Sequence, residues 1–219
     1  MKIVAFSDTH GQRDKRLTEW FNFNPADLLI FSGDLQRNQY DFGEDFIDWI
    51  HALPYTDKIL VFGNHDGNYI YILEYAEKYP EIKFLMNSCI NINGINIFGS
   101  PYSVRYQDWW FMMEDKELSK IWKEIPEDTE ILITHCPPFG ILDSTFDGYN
   151  AGSKTLLEKI NRLEKLKYHF FGHIHESYGK QNINEKIFIN VSLLNEIYYF
   201  TNYPVIIDYD LRGDYNVGE

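Results

Sequence analysis

Five short apolar runs, each ending in a polar cluster, limit the fold of this chain more than any other feature. Lys2 to Phe6 runs into Asp8 and His10, Leu28 to Phe31 into Asp34, and Ile59 to Phe62 into Asn64 and His65. Ile131 to Thr134 stops at His135, and Tyr168 to Phe171 at His173 and His175. Apolar runs of four or five residues without alternation suit strands covered on both faces. Helix-like stretches lie between the early runs: Lys15 to Phe23, Glu44 to Ala52 and Tyr69 to Lys78. Strand–helix alternation implies βαβ units and a layered α/β core. Ligands of such folds sit beyond the carboxyl ends of the strands. Every cluster follows its strand, so all five are expected on one rim.

The second half is richer in strand. Ile82 to Met86, Cys89 to Ile92 and Ile95 to Phe98 read as strands, with Asn93-Gly94 as a hairpin turn. Lys186 to Ser192 and Pro204 to Asp210 close the chain, and Ser153 to Lys165 reads as a helix with Leu156, Leu157, Ile160 and Leu163 on one face. Hairpins that widen a sheet suggest two stacked sheets with helices outside. No Pro/Gly/Ser-rich linker divides the 219 residues, so residues 1–219 are expected to form one domain.

Charge narrows the partners. Twenty Lys+Arg against 33 Asp+Glu leave a net −13, which repels nucleic-acid backbones and anionic membranes alike. Stable binding of duplex nucleic acid is therefore not expected. No apolar stretch is long enough to span a bilayer. Met1 to Phe6 is too short for a signal-peptide core, and two cysteines set no disulfide framework. Together these give the expectation of a cytoplasmic protein, with association into an oligomer left open.

The clusters carry the chemistry. In extended chain, residues i and i+2 point the same way, so Asp8 and His10 can reach one ion, and His173 and His175 repeat the arrangement. Asp34 follows Gly33 and Asn64 follows Gly63, where glycine lets the backbone turn sharply. Asp8, His10, Asp34, Asn64, His135, His173 and His175 make seven candidate ligands. Seven exceeds one tetrahedral site and suits two ions sharing a carboxylate. Mixed Asp/His/Asn donors without a cysteine cluster favour manganese, iron or zinc. A pair of such ions activates water and clamps a phosphoryl group.

In their order and spacing these residues resemble the calcineurin-like metallophosphoesterases. The matching motifs are Asp8-Thr9-His10, Gly33-Asp34, Gly63-Asn64-His65-Asp66, His135 and Gly172-His173-Ile174-His175. Thr134 to Asp143, Gly172 to Glu176, Asn190-Val191-Ser192 and Pro204 to Asp208 are similar to segments of its metallophosphoesterase domain-containing subgroup. The resemblance implies an α/β fold, a four-layer αββα sandwich of two mixed β-sheets flanked by helices. It implies two divalent ions, manganese first, with iron, zinc, nickel or cobalt as alternatives. Asp8, His10 and His175 would hold one ion, Asn64, His135 and His173 the other, and Asp34 both. His65 would contact the phosphate and protonate the leaving oxygen, with Asp66 orienting its ring. Asn64, His65 and His173 would meet the substrate. The implied activity is hydrolysis of small phosphodiesters, nucleotides or cyclic nucleotides, by a hydroxide bridging the metals. A phosphomonoesterase, or a nucleotide-binding protein with little turnover, is the alternative. Serine/threonine phosphatases of this superfamily carry Asp-Arg-Gly soon after Gly-Asp. Here Leu35-Gln36-Arg37-Asn38 follows Asp34, which argues against protein phosphatase activity.

Other residues have bland readings. His51 is expected at a helix end, His169 in a strand, Cys136 in packing, and Asp143 either behind the ligands or in a turn. Aromatic residues make up 17% of the chain. Tyr102, Tyr106, Trp109, Trp110 and Phe111 crowd one loop, and Phe146 and Tyr149 another. They either pack under the loops or form a wall on which a base stacks.

Overall fold

Successive residues of the apolar strands face opposite sides, and both sides are covered. In the computed structural model, which describes residues 1–38 and 40–209, Ile3 and Ala5 face one apolar layer while Val4 and Phe6 face another. The same parity holds for Leu28 and Ile30 against Leu29 and Phe31. Two-sided burial is why these runs show no alternation in the sequence.

The elements follow in the order β1 (Lys2–Phe6), α1 (Lys15–Phe23), β2 (Ala26–Ser32), α2 (Glu44–Ala52), β3 (Tyr55–Val61), α3 (Tyr69–Ala76), β4 (Ile82–Phe84), β5 (Ser88–Ile92) and β6 (Ile95–Ser100). After a short parallel pair, β7 (Ser103–Val104) with β8 (Met112–Met113), come α4 (Asp115–Trp122), β9 (Ile131–Thr134), α5 (Lys154–Ile160) and β10 (Tyr168–Phe171). A single 3₁₀ turn, His175–Ser177, precedes β11 (Gly179–Ile183), β12 (Lys186–Asn190) and β13 (Val205–Asp208).

Two mixed sheets result. One has the order β13-β1-β2-β3-β4, parallel except where β13 meets β1. The other has the order β11-β12-β10-β9-β6-β5, parallel inside and antiparallel at both edges. Ile30, Ile59 and Val61 of the first sheet meet Ile97, Ile133 and Phe170 of the second in a central apolar layer. The outer face of the first sheet packs on α1, α2 and α3 through Phe21, Phe46, Ile50 and Ile72. The outer face of the second packs on α4 and α5 through Leu118, Trp122, Leu156 and Ile160. This is the expected four-layer αββα sandwich. Asn93 and Gly94 both have positive φ (53° and 87°), the geometry of a tight two-residue hairpin.

Some boundaries differ from the expectation. The helix expected over Ser153 to Lys165 starts on Ser153 as its cap and ends at Ile160. The Asn161 N–H turns back to Leu157 and Lys159, so Leu163 reaches the core from a turn and Leu157 is only partly buried. Helix α4 and strand β11 were not expected. Helix α4 buries Leu118 and Trp122 on one face, as α1 buries Leu17 and Phe21, and β11 is a mostly exposed polar edge without an apolar run. Asp210, the end of the last expected strand, lies outside the described residues.

Candidate metal centre

The loops after β1, β2, β3, β9 and β10 bring all seven candidate ligands together. Three groups of side chains, each with ligand atoms within 4.8 Å of one another, mark the centre: Asp8, His10 and His175; His10, Asp34 and His65; Asp8, Asp34 and His135. Asp8, His10 and Asp34 each belong to two of them. Asn64 Oδ1 lies 2.9 Å from His135 Nε2, and the His173 ring centroid is 4.9 Å from that of His135.

The extended-chain route to this convergence is not the one the protein takes. Asp8, His10, Asp34 and His173 all have left-handed backbone, with φ of 54°, 44°, 61° and 72°. Residues with a Cβ pay roughly 1–3 kcal/mol for such conformations, and they concentrate at functional sites. Three backbone hydrogen bonds hold the first two loops together: Asp8 N to Gly33 O, His10 N to Leu35's predecessor Asp34 O, and Gly11 N to Leu35 O. Gly33, at φ 108°, passes so close to the His135 ring that a Cβ there would collide with it.

Two of the imidazoles are oriented by backbone carbonyls. His135 Nδ1 donates to Ser32 O (2.8 Å) and His175 Nδ1 to Asn195 O (3.0 Å), so each turns Nε2 toward the centre. Outer hydrogen bonds of this kind fix the tautomer of a metal-ligating histidine. His175 Nε2 then stands 3.3 Å from His10 Nε2 and 3.4 Å from Asp8 Oδ1. Burial disfavours charge on His135 and His175, yet Asp34 and Asp8 outweigh it and hold both rings protonated up to about 9. Against the same burial, His175 holds Asp8, and His135 holds Asp34, below the usual carboxylate range. Burial keeps His10 and His173 neutral, down to about 4 and about 3. Two buried carboxylates, two rings that would otherwise carry protons and two neutral rings form a donor set that fits divalent ions, whose binding releases those protons.

Asp66 does something other than orient His65. Its Oδ2 accepts the N–H groups of Gly63 (2.7 Å) and Asp34 (3.0 Å), and its Oδ1 those of Leu35 (2.9 Å) and Gln36 (3.0 Å). Both oxygens are taken, and the carboxylate ties the loop after β2 to the loop after β3. His65 is placed instead by its own N–H on Asp34 Oδ1 (2.9 Å) and by Trp109, whose ring centroid is 4.7 Å away. Asp66→Asn, which puts an amide NH₂ against backbone donors, is expected to cost about 1–3 kcal/mol for each donor left unsatisfied. The urea midpoint read at unchanged slope measures it. A variant of wild-type stability would disprove the tie.

Several positioning residues went unread in the sequence. Ser7 and Ser192 donate their hydroxyls to Asp8 Oδ2, the latter at 2.7 Å. Asn190 Nδ2 donates to Ile174 O (2.8 Å) and so supports the backbone between His173 and His175. The likeness of Asn190-Val191-Ser192 to the subgroup was the available signal, without a role attached. Tyr198, at φ 63°, sets its ring centroid 4.8 Å from that of His10.

The remaining candidates have partners outside the ligand set or stand in the loops around it. The Asp143 carboxylate accepts from Gly140 N, Gly152 N and Asn150 Nδ2, so it shapes its own loop. Cys136 is buried, and burial pushes its thiol up to about 12. His51 sits in the last turn of α2 against Glu81 (2.6 Å), and His169 lies within β10. The aromatic loop divides. Phe111 packs on Phe62, Tyr69 and Tyr102, whereas Trp109 and Tyr106 stay open to solvent. Phe146 and Tyr149 are exposed as well.

A two-sheet sandwich with clustered carboxylate, imidazole and amide donors at its strand ends defines a metal-dependent phosphoesterase class. The sequence agrees: residues 1–177 match the calcineurin-like phosphoesterase family, and the chain belongs to it. It is 30% identical over 234 residues to metallophosphoesterase domain-containing protein 1 of Homo sapiens, covering 94% of this chain and 70% of that protein. One crystal structure superimposes with a TM-score of 0.70 at 17% identity, covering 86% of this chain and 89% of the other. A novel archaeal phosphodiesterase superimposes with a TM-score of 0.50 at 17% identity, covering 87% and 82%. At that identity the two structures show the shared fold alone.

Proposed function

We propose that this protein is a phosphodiesterase for small phosphodiesters, nucleotides or cyclic nucleotides among them, and that it works with two divalent ions, manganese first. The observation that carries the reading is that one oxygen, Asp34 Oδ2, lies 3.5 Å from His10 Nε2 and 3.4 Å from His135 Nε2. Asp8, His10 and His175 are assigned to one ion, Asn64, His135 and His173 to the other, and Asp34 to both. Such an ion pair, when bound, supplies Lewis acidity and a water activated for attack on phosphorus.

The chain supplies position and a proton. Ser7, Ser192 and the two backbone carbonyls hold the ligands in orientation. We assign Asn64, His65 and His173 to contact with the phosphate, and to His65 the proton given to the leaving oxygen. Trp109 beside His65 is placed for stacking a base. We assign the whole of residues 1–219 to one such domain. Two free cysteines, one of them exposed, support a cytoplasmic setting. Among the described residues no helix is long and apolar enough to cross a membrane.

The deciding experiment is hydrolysis with added metal across cyclic nucleotides, nucleoside diesters and monoesters, with metal content measured on the same sample. Diesters should be cleaved and their monoester products left intact. Preference for monoesters would make the protein a phosphomonoesterase, and inertness with both ions loaded would make it a binder. For the stacking wall, Trp109→Ala should raise KM for nucleotides roughly five- to a hundredfold, since a stacking contact is worth about 1–3 kcal/mol. A bis(nitrophenyl) phosphate control should change far less. Equal changes on both substrates would mean that Trp109 only packs.

A further inference from the structure

A cleft of 670 Å³ shares His10 and His65 with the metal centre and is lined as well by Arg13, Asp14, Arg37 and Tyr198. In a chain of net −13 with only six arginines, two of them line this one cleft and no lysine does. Neither arginine belongs to the candidate ligands. Asp14, the one carboxylate of the lining, is held by Arg16, with Nη2 to Oδ2 at 2.7 Å. Arg13 meets Asp45 at 3.3 Å, but that carboxylate is 85% exposed, and exposed pairs of this kind exchange readily. The Arg37 guanidinium has no ion-pair partner among the described residues.

The backbone and Cβ of Arg37 are held in place, while its side chain is exposed. Its backbone N–H donates to Asp41 Oδ2 (2.9 Å), and Gly11, at φ 71°, presses against its stem so closely that a Cβ there would lie 2.7 Å from the Arg37 Cβ. The same loop carries His10, and the same turn carries Asp34, so the root of the Arg37 side chain is tied to the metal centre. Gln12 Nε2 donates to Tyr198 O (2.9 Å), which ties the Tyr198 loop to the segment that carries Arg13.

Guanidinium forks match phosphate oxygens in pairs, which an ammonium does not. A terminal phosphate has three oxygens and close to two negative charges at neutral pH, enough to engage two forks. We infer that this cleft is an anion subsite of the proposed phosphodiesterase centre, selecting diesters that carry a second, terminal phosphate. The inference rests on that functional reading for its substrate, while the subsite itself rests on the cleft and its arginines.

The test compares the thymidine dinucleotide with and without a 5′-phosphate on metal-loaded protein. The scissile diester is the same in both. Charge-assisted hydrogen bonds of this type predict a kcat/KM about 10–100-fold higher for the phosphorylated form. The ratio should shrink as salt rises. In the double variant Arg13→Gln, Arg37→Gln, which keeps the stems and removes the forks, the ratio should fall to near one. Titration calorimetry with the same two dinucleotides reads the preference as Kd, with no turnover required. A protein that hydrolyses neither yet binds the phosphorylated form 10–100-fold more tightly sinks the hydrolase reading and supports the subsite. Equal kcat/KM and equal Kd in the wild type, or a preference that survives in the double variant, overturns the subsite.

Discussion

Asp34→Asn is expected to lose both ions and turnover together. Asp34 Oδ2 lies 3.5 Å from His10 Nε2 and 3.4 Å from His135 Nε2, and Oδ1 accepts the His65 N–H. No other candidate ligand stands between the two imidazole groups in this way. The amide keeps the size but removes a negative charge from a buried site, and it turns an NH₂ toward acceptors. Loss of an outer partner of a ligand already costs about 10–100-fold in metal affinity, so loss of the shared ligand should cost more at both positions. Metal content after dialysis, read beside hydrolysis, measures it. Two tightly held ions with full turnover would remove Asp34 from the bridging role.

His65→Ala should separate proton donation from metal binding. General acid assistance is worth roughly 10²–10⁴-fold in rate, and the loss should fall on kcat. A nitrophenolate leaves readily without a proton and should suffer least, whereas a ribose alkoxide needs one and should suffer most. The geometry leaves a competing role open to measurement, because His65 also lies within reach of His10 and Asp34. Metal quantified in the variant decides: both ions retained supports the acid, and metal lost makes His65 a ligand. Equal losses for the two leaving groups would reduce it to a phosphate contact. With both Asp66 oxygens on backbone amides, Asp66→Asn should lower stability without a leaving-group pattern.

How much of this was legible depends on the range over which each property is set. Helices α1 and α2 lie where their periodicity places them, because amphipathic spacing is local. Strands β1, β9 and β10 likewise match their apolar runs. Helix α4 is absent from the expectation although Leu118, Ile121 and Trp122 repeat at helical spacing, and Leu163 falls outside α5 because a turn can bury a leucine equally well.

The sequence by itself determined which residues stand at the carboxyl ends of the buried strands, and with them the donor chemistry and the family. That follows from burial and spacing, which act within a few residues. The tertiary structure alone decided how those residues are used. Asp66 meets partners some 30 positions away in sequence, and His135 finds the Ser32 carbonyl 103 positions away. Asp8 reaches its place by left-handed backbone and is held by Ser192, 184 positions on. Arg13 and Arg37 share a cleft only because the loops after β1 and β2 are bonded to each other. A hydrogen bond or a shared cleft between distant segments leaves no periodicity behind, since its energy is realised only once the chain has brought both partners together.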